Sequence, residues 1–295
     1  MEDALTIVGR AYGPPEVLTV ETTSVGAPES GELTIRQDWI GVNFIDVLKR
    51  RGTLGGDVPY RLGLEAAGMV TAVGDKRSDF AVGDRVIYVG GDLGSYASLR
   101  NVSARRVLAL PSTVSARDGV AILFKGLTAD YLANRLRPIK PGDFVLVHAA
   151  AGGVATLLIP LLKSMGAKVI GTVGDIAKAP YAFALGCDSV LDYSSEDVAA
   201  KVRRLTDGTG VSIAYDSVGA ATIDASLKSL ARFGLLVSFG WSSGDIEPIS
   251  LSRLRDLGSV FVTRPTVSHY TEQRDDLVAA TARVFKNVDS GLFRV

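Results

Sequence analysis

The feature that most constrains this fold is a turn of small residues that joins an apolar run to an apolar helical stretch. Residues 144–147 are all apolar, residues 149–153 are alanines and glycines, and residues 156–165 are mostly apolar. In a strand, turn and helix of this kind, the backbone can approach a phosphate closely, and the N–H groups at the helix start face its charge. Ala150 and Ala155 stand where the usual G-x-G-x-x-G fingerprint has its first and last glycines. The turn predicts a dinucleotide site, and an ordinary small-residue turn of an α/β core is the alternative.

Composition argues against several classes of partner. The 295 residues include 32 lysines and arginines and 32 aspartates and glutamates, so the formal net charge is zero. This balance gives no basic surface for nucleic acid, and charged, glycine and proline residues interrupt every apolar run that could span a bilayer. The first residues lack the basic start and apolar core of a signal peptide, and the single cysteine, Cys187, excludes an internal disulfide. We expect a cytoplasmic protein with no nucleic-acid or membrane partner.

Metal chemistry is also disfavoured by the side chains available. A structural zinc site usually takes four cysteine or histidine ligands at close spacing, and the chain has one cysteine and two histidines. His148 follows an apolar run and is interpreted as a core or turn residue, whereas His269 is interpreted as a surface residue. We therefore expect no metal site.

The first 120 residues or so have the pattern of short strands. Apolar residues alternate with polar ones over 33–39, and the segments 67–74 and 85–89 are further strand candidates. Glycines and prolines cluster at 13–15 and 52–59, which is typical of loops. Short strands separated by glycine turns predict a partly closed β-barrel.

The pattern changes after about residue 115 to strands and helices in alternation. Two short helices are predicted over 116–123 and 128–136, and Ser194 with Asp197 is a helix-capping signal. Strands are then predicted at 144–148, 168–173, 189–192, 212–216, 235–238 and 260–263, and helices near 154–165, 176–185, 195–206, 222–231, 251–256 and 271–288. Pro160 lies inside the first helix after the glycine turn, where it is expected to cause a kink. Alternating strands and helices predict a parallel sheet that binds ligands at the carboxyl ends of its strands.

Residues after the second strand of this sheet bear on the choice of cofactor. An NAD site usually has an acidic residue at that strand end to bind the ribose hydroxyls, and Gly174 stands there instead. Lys178 could supply an ammonium to a 2′-phosphate, and Tyr193 could add a hydroxyl. Asp175 would oppose such a phosphate, and Lys178 could equally be a solvated surface charge. The pattern favours NADP over NAD and leaves NAD open.

Several segments together resemble a known family, in the same order along the chain. They are residues 41–46, 63–68, 82–86, 125–128, 148–154, 171–174, 215–219 and 237–240. This set is similar to the zinc-free quinone oxidoreductases of the medium-chain dehydrogenase/reductase superfamily, to which zeta-crystallin is related. The resemblance extends from about Gly13 to the last residue.

The resemblance implies an α/β fold in which a doubly wound Rossmann sheet accompanies a GroES-like β-barrel domain. The expected domains are a GroES-like catalytic domain at 1–124, a Rossmann domain at 125–264 and a C-terminal helix at 265–295 that returns to the first domain, with the active site in the cleft between them. The implied activity is the NADPH-dependent reduction of a small-molecule quinone. Family members commonly pair through the edge of the nucleotide domain, so a homodimer is expected, and residues 260–263 are the apolar segment that fits such an edge; an ordinary buried strand is the alternative.

The resemblance also implies roles for individual residues. Asn43 would line the nicotinamide pocket, and Asp46 and Glu65 are interpreted as structural. Cofactor contacts are expected from Thr128, Gly152, Gly153, Val154, Gly174, Lys178, Tyr193, Ser217, Phe239, Gly240 and Ser242. No nucleophile or general acid stands out, which suits a quinone that accepts electrons directly from a nicotinamide held nearby.

The chain departs from the family pattern at three places. Leu48 and Leu54 stand where members often carry tyrosines in the substrate cleft, which predicts a more apolar pocket. Ala155 replaces a glycine of the turn, and the family's final strands and helix have no counterpart after Val295, which would fit a shortened or incomplete chain. Two other functions therefore stay open: reduction of the double bond of an enal or enone, and NADPH binding with little turnover.

Overall fold

The computed structural model describes residues 1–75 and 79–294 and divides into two compact units. The first unit comprises Met1–Phe124 with Glu272–Thr281, and the second comprises Lys125–Thr271 with Ala282–Arg294. The division between residues 124 and 125 falls inside a helix.

The first unit is built from antiparallel strands and one short helix. The elements are β1 (Glu2–Gly9), β2 (Leu18–Val25), β3 (Glu32–Ile40), α1 (Phe44–Arg50), β4 (Tyr60–Arg61), β5 (Glu65–Val73), β6 (Arg85–Val89), β7 (Leu99–Ser103) and β8 (Val107–Ala109). They form a three-stranded sheet in the order β2-β1-β4 and a five-stranded sheet in the order β7-β3-β5-β6-β8. The strands predicted near 33–39, 67–74 and 85–89 are confirmed as β3, β5 and β6. In the ranges that the structure describes, the sheet order does not close into a ring.

The close pairing of β3 with β5 explains the small residues in β5. Leu33 and Ile35 of β3 are fully buried in the core of this unit, as the alternating pattern predicts. A Cβ atom added to Gly68 would lie only 2.0 Å from the carbonyl oxygen of Arg36. Only glycine leaves room for that approach, so the sequence at this strand is fixed by sheet geometry rather than by function.

The second unit is a six-stranded parallel sheet with helical connections, which confirms the predicted doubly wound class. Its elements are β9 (Phe144–Val147), α3 (Ala155–Ser164), β10 (Lys168–Val173), α4 (Ala179–Ala184), β11 (Ser189–Asp192), α5 (Val198–Leu205), β12 (Val211–Asp216), α6 (Ile223–Ser229), β13 (Leu230–Ser238), α7 (Leu251–Asp256), β14 (Phe261–Thr263) and α8 (Val267–Tyr270), preceded by α2 (Ala116–Asn134) and followed by α9 (Arg274–Asp289), both of which the two units share. The strand order is β11-β10-β9-β12-β13-β14. The chain builds outwards in both directions from β9 and β12, so the topological switch point lies between these two strands.

Two predictions about helices are corrected by the structure, and one helix was missed. The two short helices predicted over 116–136 are one helix, α2, because burial of residues such as Leu123, Leu127 and Leu132 stabilises it across Gly126. Helix α5 is capped by Asp197 itself, whose carboxylate accepts the N–H of Ala200, and not by a Ser194–Asp197 pair. Helix α8 was not predicted.

Pro160 does not divide the first helix after the glycine turn. Helix α3 continues from Ala155 to Ser164 with the proline inside it. Its neighbours Leu157, Leu158 and Leu161 are buried, so packing supports the helix in spite of the missing N–H.

In the parts of the chain that the structure describes, no helix combines the length and apolarity needed to cross a membrane.

Candidate nucleotide site

The small-residue turn follows β9 at the switch point of the parallel sheet and is tied to the next strand. The N–H of Ala150 donates to the carbonyl oxygen of Thr172 in β10 at 2.8 Å, and the N–H of Gly152 donates to that of Ala149 at 2.8 Å. Ala149 has a φ of 50°, in the left-handed region that alanine rarely adopts. The turn is therefore a fixed backbone feature whose shape the sequence pattern alone did not reveal.

Backbone donors without partners lie where this turn enters α3. Across the described ranges, the N–H groups of Gly153, Val154 and Ala155 have no acceptor, and the first bonded N–H is that of Thr156, which donates to Gly152 at 2.9 Å. Such free donors, together with the positive end of the helix dipole, favour an anion. Gly153 itself is exposed and has no side chain of its own to cover these donors. The turn thus fits a pyrophosphate group, as the glycine pattern predicts.

His148 lies beneath the turn as a buried neutral side chain. It is 1% exposed, which confirms the prediction of a core residue, and its Nδ1 lies 2.7 Å from the Thr172 hydroxyl. Its Nε2 has no partner among the residues that the structure describes. Burial lowers the pKa of His148, while the nearby Asp216 carboxylate acts in the opposite direction. The ring also meets the ring of Tyr193 edge-on, with centroids 6.4 Å apart.

Asp216, at the end of β12, organises the loop on the other side of the switch point. The residue is fully buried, and its carboxylate accepts the N–H groups of Val218 and Gly219 at 2.9 Å each. It also accepts the hydroxyls of Thr222 at 2.9 Å and Ser226 at 2.7 Å. Sequence reasoning used this segment only as a family motif and missed the role of the carboxylate. An acidic residue at the end of an apolar strand, with hydroxyl residues in the following helix, was the available signal.

Four predicted groove residues come together at the ends of β12 and β13. The N–H of Phe239 donates to the carbonyl oxygen of Asp216 at 2.9 Å. The N–H of Ser242 donates to the carbonyl oxygen of Ser217 at 3.4 Å. A Cβ atom on Gly240 would lie 2.6 Å from the Ser217 carbonyl oxygen, so this glycine permits the close approach. Ser217, Phe239, Gly240 and Ser242 therefore share one edge of the sheet.

A second predicted group lies at the ends of β10 and β11. A Cβ atom on Gly174 would lie 2.5 Å from the Tyr193 hydroxyl oxygen, so the tyrosine packs directly over the glycine. The carboxylate of Asp175 accepts the N–H of Ala177 at 2.9 Å, in the turn that precedes α4. Lys178 is exposed, and within residues 1–75 and 79–294 its ammonium has no ion-pair partner. Because the Asp175 carboxylate accepts this capping hydrogen bond, it would repel an anion beside Lys178 less strongly.

The predicted residues of the first unit form a buried hydrogen-bonded cluster around the start of α1. The side-chain N–H of Asn43 donates to a Glu65 carboxylate oxygen at 2.7 Å, and its backbone N–H donates to Asp46 at 2.9 Å. The other Glu65 oxygen accepts the N–H of Phe124 at 3.0 Å. The Tyr96 hydroxyl donates to the Asp46 carboxylate at 3.0 Å. Burial and this carboxylate raise the pKa of Tyr96. These contacts agree with a structural role for Asp46 and Glu65.

The remaining predicted positions differ in exposure. Leu48, on α1, is buried at 7% exposure, whereas Leu54, in the turns after α1, is 40% exposed. Thr128 is a buried residue of α2 in the second unit. Their predicted contacts with a substrate or cofactor stay predictions.

Comparisons with known proteins place this geometry in a family. The family model described as "Alcohol dehydrogenase GroES-like domain" matches residues 29–112. The family model described as "Zinc-binding dehydrogenase" matches residues 153–283. A solved quinone oxidoreductase from Pseudomonas syringae is 41% identical, with a TM-score of 0.95, and the match covers 99% of this chain and 90% of that one. The quinone oxidoreductase of Escherichia coli, solved in complex with NADPH, is 39% identical with the same TM-score, 0.95, and the same shares, 99% and 90%. A 2-haloacrylate reductase from Burkholderia is 37% identical over 289 residues, which cover 95% of this chain and 86% of that protein.

Both domain types and the level of identity lead to one classification. The fold and its two matched domains are those of the medium-chain dehydrogenases/reductases, and within that superfamily the chain belongs to the quinone oxidoreductase family. The predicted family and fold class are thereby confirmed.

The zinc ion in the name of the matched domain does not fit this chain's side chains. Within the described ranges, no three His, Cys, Asp or Glu residues are grouped to hold a metal ion. Cys187 is buried, and its thiol pKa is raised to about 12 by burial, which disfavours the thiolate that zinc binds.

Proposed function

We propose that this protein is an NADPH-dependent quinone oxidoreductase that reduces a small quinone without a metal. The observation that carries the proposal is the row of free N–H groups at Gly153, Val154 and Ala155 at the switch point of the parallel sheet. The Escherichia coli relative, whose structure was solved with NADPH, supports the choice of cofactor. When bound, the reduced nicotinamide would supply the reducing equivalents, and a quinone can accept them directly.

The chain's own residues would bind the cofactor along the edge of the parallel sheet. Gly152, Gly153 and Val154 would hold the pyrophosphate through backbone donors. Lys178 and Tyr193, beside Gly174, would hold the 2′-phosphate. The proposed contacts along the rest of the cofactor are Asn43, Thr128, Ser217, Phe239, Gly240 and Ser242.

The substrate side of the proposal rests on apolar residues. Leu48 and Leu54 are proposed to line the substrate pocket, where they offer shape and exclude water but donate no hydrogen bond. With no general acid proposed, catalysis would come from holding the quinone against the nicotinamide and from removing water around both. This favours an apolar quinone over one that needs a hydroxyl donor.

Replacing Lys178 tests the cofactor assignment directly. Lys178→Ala should weaken NADPH binding about 10- to 100-fold and leave NADH binding nearly unchanged, because only NADPH carries the phosphate that the ammonium would meet. Calorimetric titration of both nucleotides into the purified chain measures this. Lys140→Ala, at another exposed lysine, is the matched control. Equal losses for the two nucleotides would contradict the assignment.

Reduction of an activated carbon–carbon double bond is the second candidate function. The Burkholderia relative, named a 2-haloacrylate reductase, favours it, because that name describes reduction of such a bond. The proposed NADPH site would be the same, and only the pocket would differ. Steady-state kinetics with a quinone and an enone, each with NADPH, separates the two functions by the ratio of their kcat/KM values.

A homodimer is the proposed assembly, formed through β14. This strand is hydrogen-bonded to β13 on one side only, and Phe261 and Val262 are 60% and 39% exposed. At the opposite edge of the sheet, none of the four residues of β11 is exposed. An apolar edge strand of this kind is suited to pairing with a second copy about a two-fold axis.

The cytoplasm is the proposed location. The single cysteine, Cys187, is a free buried thiol, which suits a reducing compartment where thiols persist.

A further inference from the structure

Lys125 of α2 extends its side chain across the glycine turn. A Cβ atom on Gly153 would lie 3.0 Å from Cδ and 3.1 Å from Cε of Lys125. The last two methylene groups of the lysine therefore lie against the bare face of Gly153, and the ammonium group is one bond further on. The segment 125–128 entered the sequence analysis only as a family motif, without a role for the lysine.

The ammonium of Lys125 has no counter-charge in the parts of the chain that the structure describes, although the residue is half-buried. Lys140 and Lys286 also lack a charged partner there, but both are exposed to water. Partial burial makes an unpaired charge costly, whereas full exposure does not. The cost at Lys125 is removed if an anion binds beside it.

The same place already offers unpaired donors. The free N–H groups of Gly153, Val154 and Ala155 carry partial positive charge, and Lys125 adds a full positive charge to their surroundings. A dinucleotide pyrophosphate has a negative charge on each phosphate, more than helix-end amides alone balance. We propose that Lys125 binds the pyrophosphate of the cofactor, so that the site joins a backbone cradle to a lysine clamp; this rests on the proposed function.

This arrangement gives a second reason for a glycine at position 153. No positive φ constrains it, so a side chain is sterically possible for its backbone. A side chain there would occupy the path of Lys125 as well as the face of the turn. Gly153 is thus required less by backbone conformation than by the lysine that crosses it.

Removal of the charge without removal of the stem gives the sharpest test. Lys125→Met keeps an unbranched side chain over Gly153 and should weaken NADPH and NADH binding equally, about 10- to 100-fold each. Lys125→Arg keeps the charge and should stay within about fivefold of the wild type. Lys140 is exposed and lies shortly before the start of β9. Lys140→Met is the control and should change neither affinity. Isothermal calorimetry on the full-length chain measures the dissociation constants, and thermal melting verifies that each variant folds.

The pattern across the two nucleotides decides between explanations. Equal losses that shrink as salt is raised support a pyrophosphate contact, because salt screens the charge. A change below about twofold in Lys125→Met would overturn the proposal and leave the lysine a cover for the turn. A loss confined to NADPH would also overturn it, since the charge would then serve the 2′-phosphate. If Lys125→Met does not fold, Lys125→Gln and the salt dependence of its affinities replace it. A wild-type protein that binds neither nucleotide would instead refute the proposed function itself.

Discussion

At the scale of single residues, the burial of His148 makes the free energy of unfolding depend on pH. Its folded pKa is lowered from the usual 6.5 by burial, so the folded protein keeps the ring neutral where the unfolded chain would protonate it. Below about pH 6.5 the unfolded state binds the extra proton, and the free energy of unfolding should fall by up to about 1.4 kcal/mol per pH unit. His148→Gln should flatten this slope, whereas the exposed His269→Gln should keep it. Chemical denaturation between pH 4.5 and 6.5 measures the slope, and an unchanged slope in His148→Gln would contradict the prediction.

Carboxylates whose pKa is lowered in the folded protein leave this window largely unaffected, because they contribute to stability at lower pH. The hydrogen bond from Lys201 lowers the pKa of Glu196 from 4.5, and that from Lys228 lowers the pKa of Asp224 from 3.8. The stability that each contributes is present above its unfolded pKa and is lost only as pH falls towards the folded value. A loss of stability that begins near pH 6.5 therefore reports on the histidine.

Sequence reasoning named Gly153, Gly174 and Gly240 as site residues from their places near strand ends, and these roles stay predictions. In the structure, a Cβ atom on each would lie 3.0 Å or less from a neighbouring group, so each glycine allows a close approach. Sequence reasoning missed Lys125, because the contact between α2 and the turn joins segments that no local pattern connects. The left-handed backbone of Ala149 was equally hidden, since alanine gives no signal for positive φ.

At the scale of elements, the limits of predicted helices and strands show where packing overrides local preference. The strands at 168–173 and 189–192 were predicted with their final limits, because each has a short apolar centre between turn residues. Helix α2 was divided in two between residues 123 and 128, a gap that contains Gly126, a weak helix former. Burial on several sides joins the halves, and that burial is a property of the folded unit rather than of the segment.

Pro160 offers a test of how far packing supports α3. In Pro160→Ala the new N–H can donate to the carbonyl oxygen of Thr156, one turn earlier, so stability should rise, by up to about 3 kcal/mol. Pro180 is the matched control, because it lies in the first turn of α4, where no helical partner for an N–H exists. Pro180→Ala should give no gain, or a loss of up to about 1 kcal/mol through the freer unfolded chain. Urea denaturation of both variants measures the difference, and a destabilised Pro160→Ala would show that contacts of the ring outweigh the restored bond.

At the scale of the whole molecule, the edge of the parallel sheet decides whether chains pair. The sheet ends at β14, where Phe261 is 60% exposed, and at β11, where α4 carries Phe183 at 50% exposure. Two exposed phenylalanines near opposite edges thus differ in one respect: Phe261 lies on a strand with unpaired backbone groups, and Phe183 lies on a helix. Only the first can extend the sheet of one copy into that of another.

Substitution of Phe261 therefore tests the proposed dimer. Phe261→Lys places a charge on the proposed edge-to-edge contact in both copies, so the dimer should dissociate to monomers. Phe183→Lys makes the same chemical change at the other end of the sheet and should remain dimeric. Sedimentation velocity over a range of concentrations measures both, and NADPH titration verifies that the monomeric variant keeps a formed nucleotide site. Dimers that persist in Phe261→Lys, or a wild-type chain that sediments as a monomer, would contradict β14 as the contact, because the substitution puts two like charges into one apolar interface.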